Sequence, residues 1–205
     1  MEKEVIRIKL TDRNVSLLCS KIGGPFIWPD DDPPGAFLAQ INLSDLAHVH
    51  ELPATGWLQF FIDNDPDYGL FNKKAKVVYR PTLLGRKRES NYEYTPVIKE
   101  GRMRFSYGKE DISWQDHRYD KELTDETISK YDGSGHKLLG YPCFCQNDPR
   151  YKGAETERYD TLLFQLDSDY EFVVWGDSGV ANFFVNSEDL KRRDFSDVLF
   201  YWDCC

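Results

Sequence analysis

Residues Tyr159–Val185 read YDTLLFQLDSDYEFVVWGDSGVANFFV, the most apolar and aromatic stretch of the chain. It has an echo upstream. Leu38-Ala39-Gln40-Ile41 returns as Leu163-Phe164-Gln165-Leu166, and Gly56-Trp57-Leu58-Gln59-Phe60-Phe61-Ile62 as Gly179-Val180-Ala181-Asn182-Phe183-Phe184-Val185. Ahead of each pair, Lys21-Ile22-Gly23-Gly24-Pro25-Phe26 is matched by Lys137-Leu138-Leu139-Gly140-Tyr141-Pro142. Three echoes in one order indicate an internal duplication. The apolar runs are four to seven residues long, rich in β-branched and aromatic residues, and bounded by turn formers. These features predict a mainly β (α+β) fold with a pseudo-two-fold internal repeat and a few short helices. The expected organisation is a single domain over 1–205, with repeat halves at about 20–132 and 133–205 and Gly133-Ser134-Gly135 between them.

Working outward, alternation over Glu4–Lys9 predicts a first strand, and Val15–Cys19 a second. Ser44 is expected to cap a short helix running toward His50, and Ser187 another beginning at Glu188. In the less apolar middle, Lys76–Tyr79 and Arg102–Tyr107 read as strands, and Thr124 opens a short helix. Further strands are expected at Thr161–Leu166, Glu171–Trp175, Val180–Val185 and Phe195–Trp202.

Composition narrows the function classes. With 205 residues, 40% hydrophobic and 15% aromatic, the chain can bury a sizeable core. A net charge of -9 argues against nucleic acid, whose affinity for proteins is mainly electrostatic. The basic clusters Arg86-Lys87-Arg88 and Lys191-Arg192-Arg193 are flanked by acids and read as solvated surface. No apolar run approaches the roughly 18 residues of a membrane helix, and Met1-Glu2-Lys3-Glu4 does not begin a signal peptide. An odd set of five cysteines suits reduced thiols and a cytoplasmic location.

No catalytic constellation is recognisable, so the balance falls against an enzyme. Gly176-Asp177-Ser178-Gly179 matches the letters around a serine-protease nucleophile, but lacks the accompanying histidine context and reads as a turn. Asp63-x-Asp65-x-Asp67 opens like a calcium loop, then places Tyr68 where glycine is needed. Cys143, Cys145, Cys204 and Cys205 are weak metal candidates. Zinc pairs are spaced by roughly two to four residues, which neither pair obeys, so buried structural thiols are the plainer reading and no cofactor is expected.

Gln40 and Gln165 stand out because each interrupts an apolar strand at the same place in its repeat. A buried amide needs partners. Tying a strand to neighbouring backbone is the structural reading; a pair facing a cleft between the repeats is the functional one. Candidate ligand-binding residues are therefore Gln40, Gln165, Trp175, Asp177, Ser178, Asn182, His136 and Asp203. An enzymatic alternative would work through Asp177 and Asp203 with His136.

Together, Ser20–Pro25, Phe37–Ile41, Gly56–Phe61, Gly135–Pro142, Trp175–Phe184 and Trp202-Asp203-Cys204-Cys205 resemble the YwqG-like family of uncharacterised bacterial proteins. The resemblance covers about residues 20–205, loosely between about 78 and 130. Many relatives carry a longer, partly helical N-terminal region, of which little is present here. The resemblance implies a mainly-β roll or barrel and no catalytic residue. Relatives are similar to proteins near bacterial toxin loci, which implies a partner-binding, immunity-like role. A protein-binding module with a basic toxin domain as partner is thus the leading expectation. A small-molecule module using the cleft between the repeats is the alternative.

Overall fold

The computed structural model describes residues 2–47, 49–70, 75–120, 122, 124–130 and 132–204. Among these residues lie twelve strands: β1 (Lys3–Thr11), β2 (Lys21–Ile22), β3 (Phe26–Trp28), β4 (Ala36–Asn42), β5 (Trp57–Ile62), β6 (Lys76–Arg80), β7 (Arg86–Arg88), β8 (Gly101–Glu110), β9 (Lys137–Leu139), β10 (Thr161–Asp167), β11 (Val180–Val185) and β12 (Val198–Asp203). Two short helices accompany them, α1 (Asp125–Lys130) and α2 (Ser187–Lys191). The fold is mainly β, as the repeat and aromatic content predict. None of the described helices is long and apolar enough to cross a membrane.

Ten strands form one antiparallel sheet in the order β12-β11-β10-β9-β1-β8-β2-β4-β5-β6, while β3 and β7 make a separate two-stranded sheet. The long pair β1–β8 sits in the middle, with Lys3 opposite Glu110 and Thr11 opposite Arg102. On one side of it run β2, β4, β5 and β6; on the other, β9, β10, β11 and β12. These two four-strand series carry the three sequence echoes at matching places. Both contain a bulge at the equivalent leucine, Leu38 in β4 and Leu163 in β10. Each also turns out of its first strand through two left-handed residues, Gly23 and Gly24 (φ 55° and 66°) against Leu139 and Gly140 (φ 61° and 73°). A side chain at Gly24 would collide with the Glu100 carboxylate, and one at Gly140 with that of Glu110.

The sheet curls until its two ends face each other. Phe60 of β5 lies 4.8 Å from the Phe164 ring of β10 and 5.2 Å from Phe183 of β11. Tyr79 of β6 reaches Phe195, just ahead of β12, at 6.2 Å. This nearly closed barrel encloses the main core, including Ile6, Ile8, Leu38, Ile41, Leu58, Leu163, Leu166, Trp175 and Phe200. The bulges turn Leu38 and Leu163 inward beside Ala39 and Phe164.

On the outside of the barrel each series carries its own apolar patch. In the first, Phe26, Trp28, Phe37 and Phe61 pack under the β3–β7 layer. Phe26 and Phe37 stack at 4.3 Å, and Trp28 meets Phe61 edge-on at 5.0 Å. In the second, Phe144, Tyr159, Leu162, Phe184 and Leu199 pack beneath irregular chain instead of strands.

Several local expectations differ in detail. Residues 15–19 form no strand: the Leu17 and Cys19 carbonyls accept from the Gln40 side chain, and Cys19 Sγ donates to the Ser16 carbonyl across a turn at 17 and 18. Residues 171–175 contribute only an isolated bridge, Val173 to Val97. The caps shift by a residue or two: Asn42 and Asn186 accept from the N–H groups of Ser44 and Glu188.

Candidate functional site

The repeat builds a buried polar row on the outer face of each series. Lys21 stands opposite Gln40, which stands opposite Gln59; Lys137, Gln165 and Asn182 repeat the row. All six are essentially inaccessible. Gln40 Nε2 donates to the carbonyls of Leu17 (2.8 Å) and Cys19 (2.9 Å), and Gln165 Nε2 to those of Gly133 and Gly135 (both 2.8 Å). The glutamines therefore hold the chain entering β2 and β9 against the sheet. Gly133, expected between the repeats, is buried against Ser113 and the Pro142 carbonyl. Gln165 additionally accepts from Cys143 N–H at 2.8 Å, and Asn182 Nδ2 donates to the Cys143 carbonyl at 2.8 Å.

The remaining sequence candidates lie apart from one another. Trp175 is inside the barrel among Tyr68, Phe200 and Trp202, whereas Asn182 faces the outer layer. Asp177 and Ser178 are exposed in a turn, their carbonyls accepting from Tyr170 Oη and Cys145 Sγ. Asp203 is buried and accepts from the N–H groups of Cys145 (3.0 Å) and Gln146 (2.8 Å). Burial pushes its pKa up despite those bonds. His136 accepts from Asp167 N–H on Nδ1 at 3.0 Å and faces Asp169 through Nε2 at 3.4 Å. That pattern requires the neutral tautomer protonated on Nε2, and burial lowers the imidazole pKa in spite of Asp169. Cys143 is buried, and burial pushes its thiol pKa up. Among the described residues, Cys143, Cys145 and Cys204 do not gather into a metal-ligand cluster. Cys205 lies outside the described residues.

What the sequence reading passed over is a pair of interlocked Asp-x-Arg clamps on the second series. Arg118 donates from its backbone N (3.0 Å) and Nε (2.7 Å) to Asp116 Oδ1, and from Nη2 (2.6 Å) to Oδ2. Arg150 repeats this on Asp148, from backbone N (2.9 Å), Nε (2.9 Å) and Nη2 (2.7 Å). Arg150 Nη2 also reaches Asp116 Oδ2 at 3.1 Å, which joins the clamps. The Arg150 guanidinium is fully buried, 4.0 Å above the Phe184 ring. Burial would raise the Asp116 pKa, but the Arg118 hydrogen bonds and both guanidinium charges hold it at about 2. His117 donates its backbone N–H to Asp148 Oδ2 at 3.0 Å, and burial lowers its imidazole pKa.

Ligand atoms of Asp116, His117 and Asp148 lie within 4.8 Å of one another, a spacing that could suit a cation. Every carboxylate oxygen there already accepts from a guanidinium or backbone N–H, and the two arginines cancel the negative charge. The donor set does not fit a metal. The clamps serve as the rigid floor of a shallow cleft of about 550 Å³, walled by Trp114, Tyr119, Pro149, Tyr151 and Tyr201. Tyr151 is 64% exposed. Burial, then Asp203 and Asp148, push the Tyr201 hydroxyl pKa up. The repeated spacing Asp116-His117-Arg118 and Asp148-Pro149-Arg150 was the available sequence signal.

Fold and cleft together define a nearly closed β-barrel domain with a recessed aromatic surface on one of its two strand series. The chain belongs to the family described as "Domain of unknown function (DUF1963)", whose model matches residues 20–204. Among curated proteins, none matches this chain.

Proposed function

We propose that the chain is a protein-binding module that grips a basic partner through the aromatic cleft of the second series. The observation that carries this reading is the exposed Tyr151 ring beside Trp114, Tyr119 and Tyr201, above a floor fixed by buried ion pairs. Tyrosine and tryptophan are the side chains that dominate interface energetics, and a fixed floor lowers the entropy lost on binding. A chain of net charge -9 favours an incoming arginine or lysine, which an aromatic wall receives through cation–π attraction. Rings nearby already accept such cations: Tyr141 those of Lys3 and Arg118, Tyr159 that of Arg158. Within the family, the finer assignment we favour is YwqG-like. With it come a bacterial, cytoplasmic setting that keeps the thiols reduced, and a basic toxin domain as the partner class.

The test places a photo-crosslinking residue at 151 and, as control, at Leu84, which is 67% exposed on the connection leading into β7. Capture of one basic protein at fixed stoichiometry from 151 alone, weakened by salt and by Tyr151→Ala, is the expected result. Equal capture from both positions, or binding indifferent to Tyr151→Ala, rejects the reading.

A further inference from the structure

A cavity of about 180 Å³ lies on the seam between the two series. One wall, from the connection between β4 and β5, supplies Glu51, Leu52 and Pro53; the other supplies Leu190, Lys191 and Arg193 at the end of α2. Leu52 and Leu190 are buried and give it an apolar floor. The space is smaller than the roughly 300–1,000 Å³ of drug-sized pockets, which suits a small ligand. Lys191 is neutralised by Glu188 at 2.6 Å. Among the described residues, Glu51 and Arg193 are the lining charges that form no ion pair, and they stand on opposite walls with opposite signs.

Arg193 occupies its place against local preference. Its φ is 59°, its N–H donates to the Leu190 carbonyl (2.9 Å), and the Asp194 N–H donates to that of Asp189 (2.9 Å). This is the hydrogen-bond pattern of a helix C-terminus at which glycine is the favoured residue. A long cationic side chain at a left-handed position is costly, and such strain collects at functional sites.

We propose that the seam cavity binds a small zwitterion, an α-amino acid with an apolar side chain. Its carboxylate is taken by Arg193, its ammonium by Glu51, and its side chain by Leu52 and Leu190. Both charged side chains are exposed to solvent, and a zwitterion meets both at once whereas a ligand of one sign meets only one.

The experiment uses the full chain and apolar L-α-amino acids from valine to phenylalanine at about 10 mM. It reads the melting temperature by mass action and the amide resonances of residues 50–53 and 190–193. At least one amino acid should raise the melting temperature and shift those resonances. Its deaminated and decarboxylated analogues, 4-methylpentanoate and 3-methylbutylamine for leucine, should bind about 10-fold more weakly or worse. Glu51→Gln should weaken binding to a similar degree. Arg193→Gly should do the same while raising the ligand-free melting temperature by about 1–3 °C, since glycine suits the position. That combination separates lost recognition from lost folding. No response to any of the amino acids, equal binding of the deaminated acid, or full affinity in Arg193→Gly overturns the proposal. The cavity shares no residue with the aromatic cleft, so neither result bears on partner binding.

Discussion

The two strand series share a backbone plan but are finished differently on the outside. In the first, four aromatic rings are sealed by a two-stranded layer, and its buried Lys21 donates to the Pro25 carbonyl. In the second, the same sheet face supports two interlocked Asp-x-Arg clamps, and Lys137 meets Glu110 at 3.0 Å. A strand-covered patch closes on itself. Irregular chain pinned by ion pairs can leave a recess with defined walls, and the aromatic cleft lies there. The two series share a scaffold, and the second keeps an accessible surface where the first is closed.

The sharpest way to break this contrast is Arg150→Met. It strips the buried Asp148 carboxylate of its guanidinium, takes one of two guanidinium partners from Asp116, and should cost about 3–5 kcal/mol, read from the urea midpoint. Replacing Asp116, Asp148 and Arg150 together by apolar residues should restore most of that loss, because buried charges removed together are often neutral and the Arg118 left behind reaches solvent. If the triple variant stays as unstable as the single one, the clamps do more than fill the layer.

Acid should unfasten the second series first. Asp116 has a folded pKa of about 2 against an ordinary 3.8, so its contribution is complete above about pH 3.8 and disappears as pH falls toward 2. The loss expected in urea titrations across that window is about 2 kcal/mol, and it should be missing from the triple variant.

The glutamines permit a finer comparison. Gln165→Leu deprives two carbonyls and the Cys143 N–H, whereas Gln40→Leu deprives two carbonyls and its long contact with Gln59 (3.4 Å). Both should destabilise by about 1–3 kcal/mol, with the Gln165 change greater by about 1 kcal/mol. The smallest effect belongs to Tyr151→Ala, expected to shift stability by less than about 0.5 kcal/mol because the ring is exposed. A larger loss would make Tyr151 part of the fold instead of a contact surface.

The strands could be read from the chain because their signal is local and given twice. The run around Gln165 resembles that around Gln40, and Phe183 mirrors Phe60 across the core they share. The strand pattern also carried β1, β6 and β8 almost to their ends. The clamps were hidden for a physical reason. Arg150 finds Asp116 across 34 residues of chain, within segments whose polarity reads as loop, and nothing in hydrophobic periodicity marks a buried guanidinium. Trp175 and Asn182 are close in sequence and were expected to share a pocket. The sheet sends them to opposite faces, a distinction set by strand pleat and by the turn at Gly176.

The placement of β1 bears on how the chain is made. This strand precedes the other eleven in the chain, yet its neighbours are β8 and β9, so its edges stay unpaired until the chain has been synthesised well past residue 110. The four strands of the first series likewise wait for β8 to cover β2. Half of the protein is therefore not a foldable intermediate but an open sheet with sticky borders. Premature termination near residue 100 would release a fragment inclined to find the missing strands in its neighbours, and the slow step of maturation should be the arrival of β8.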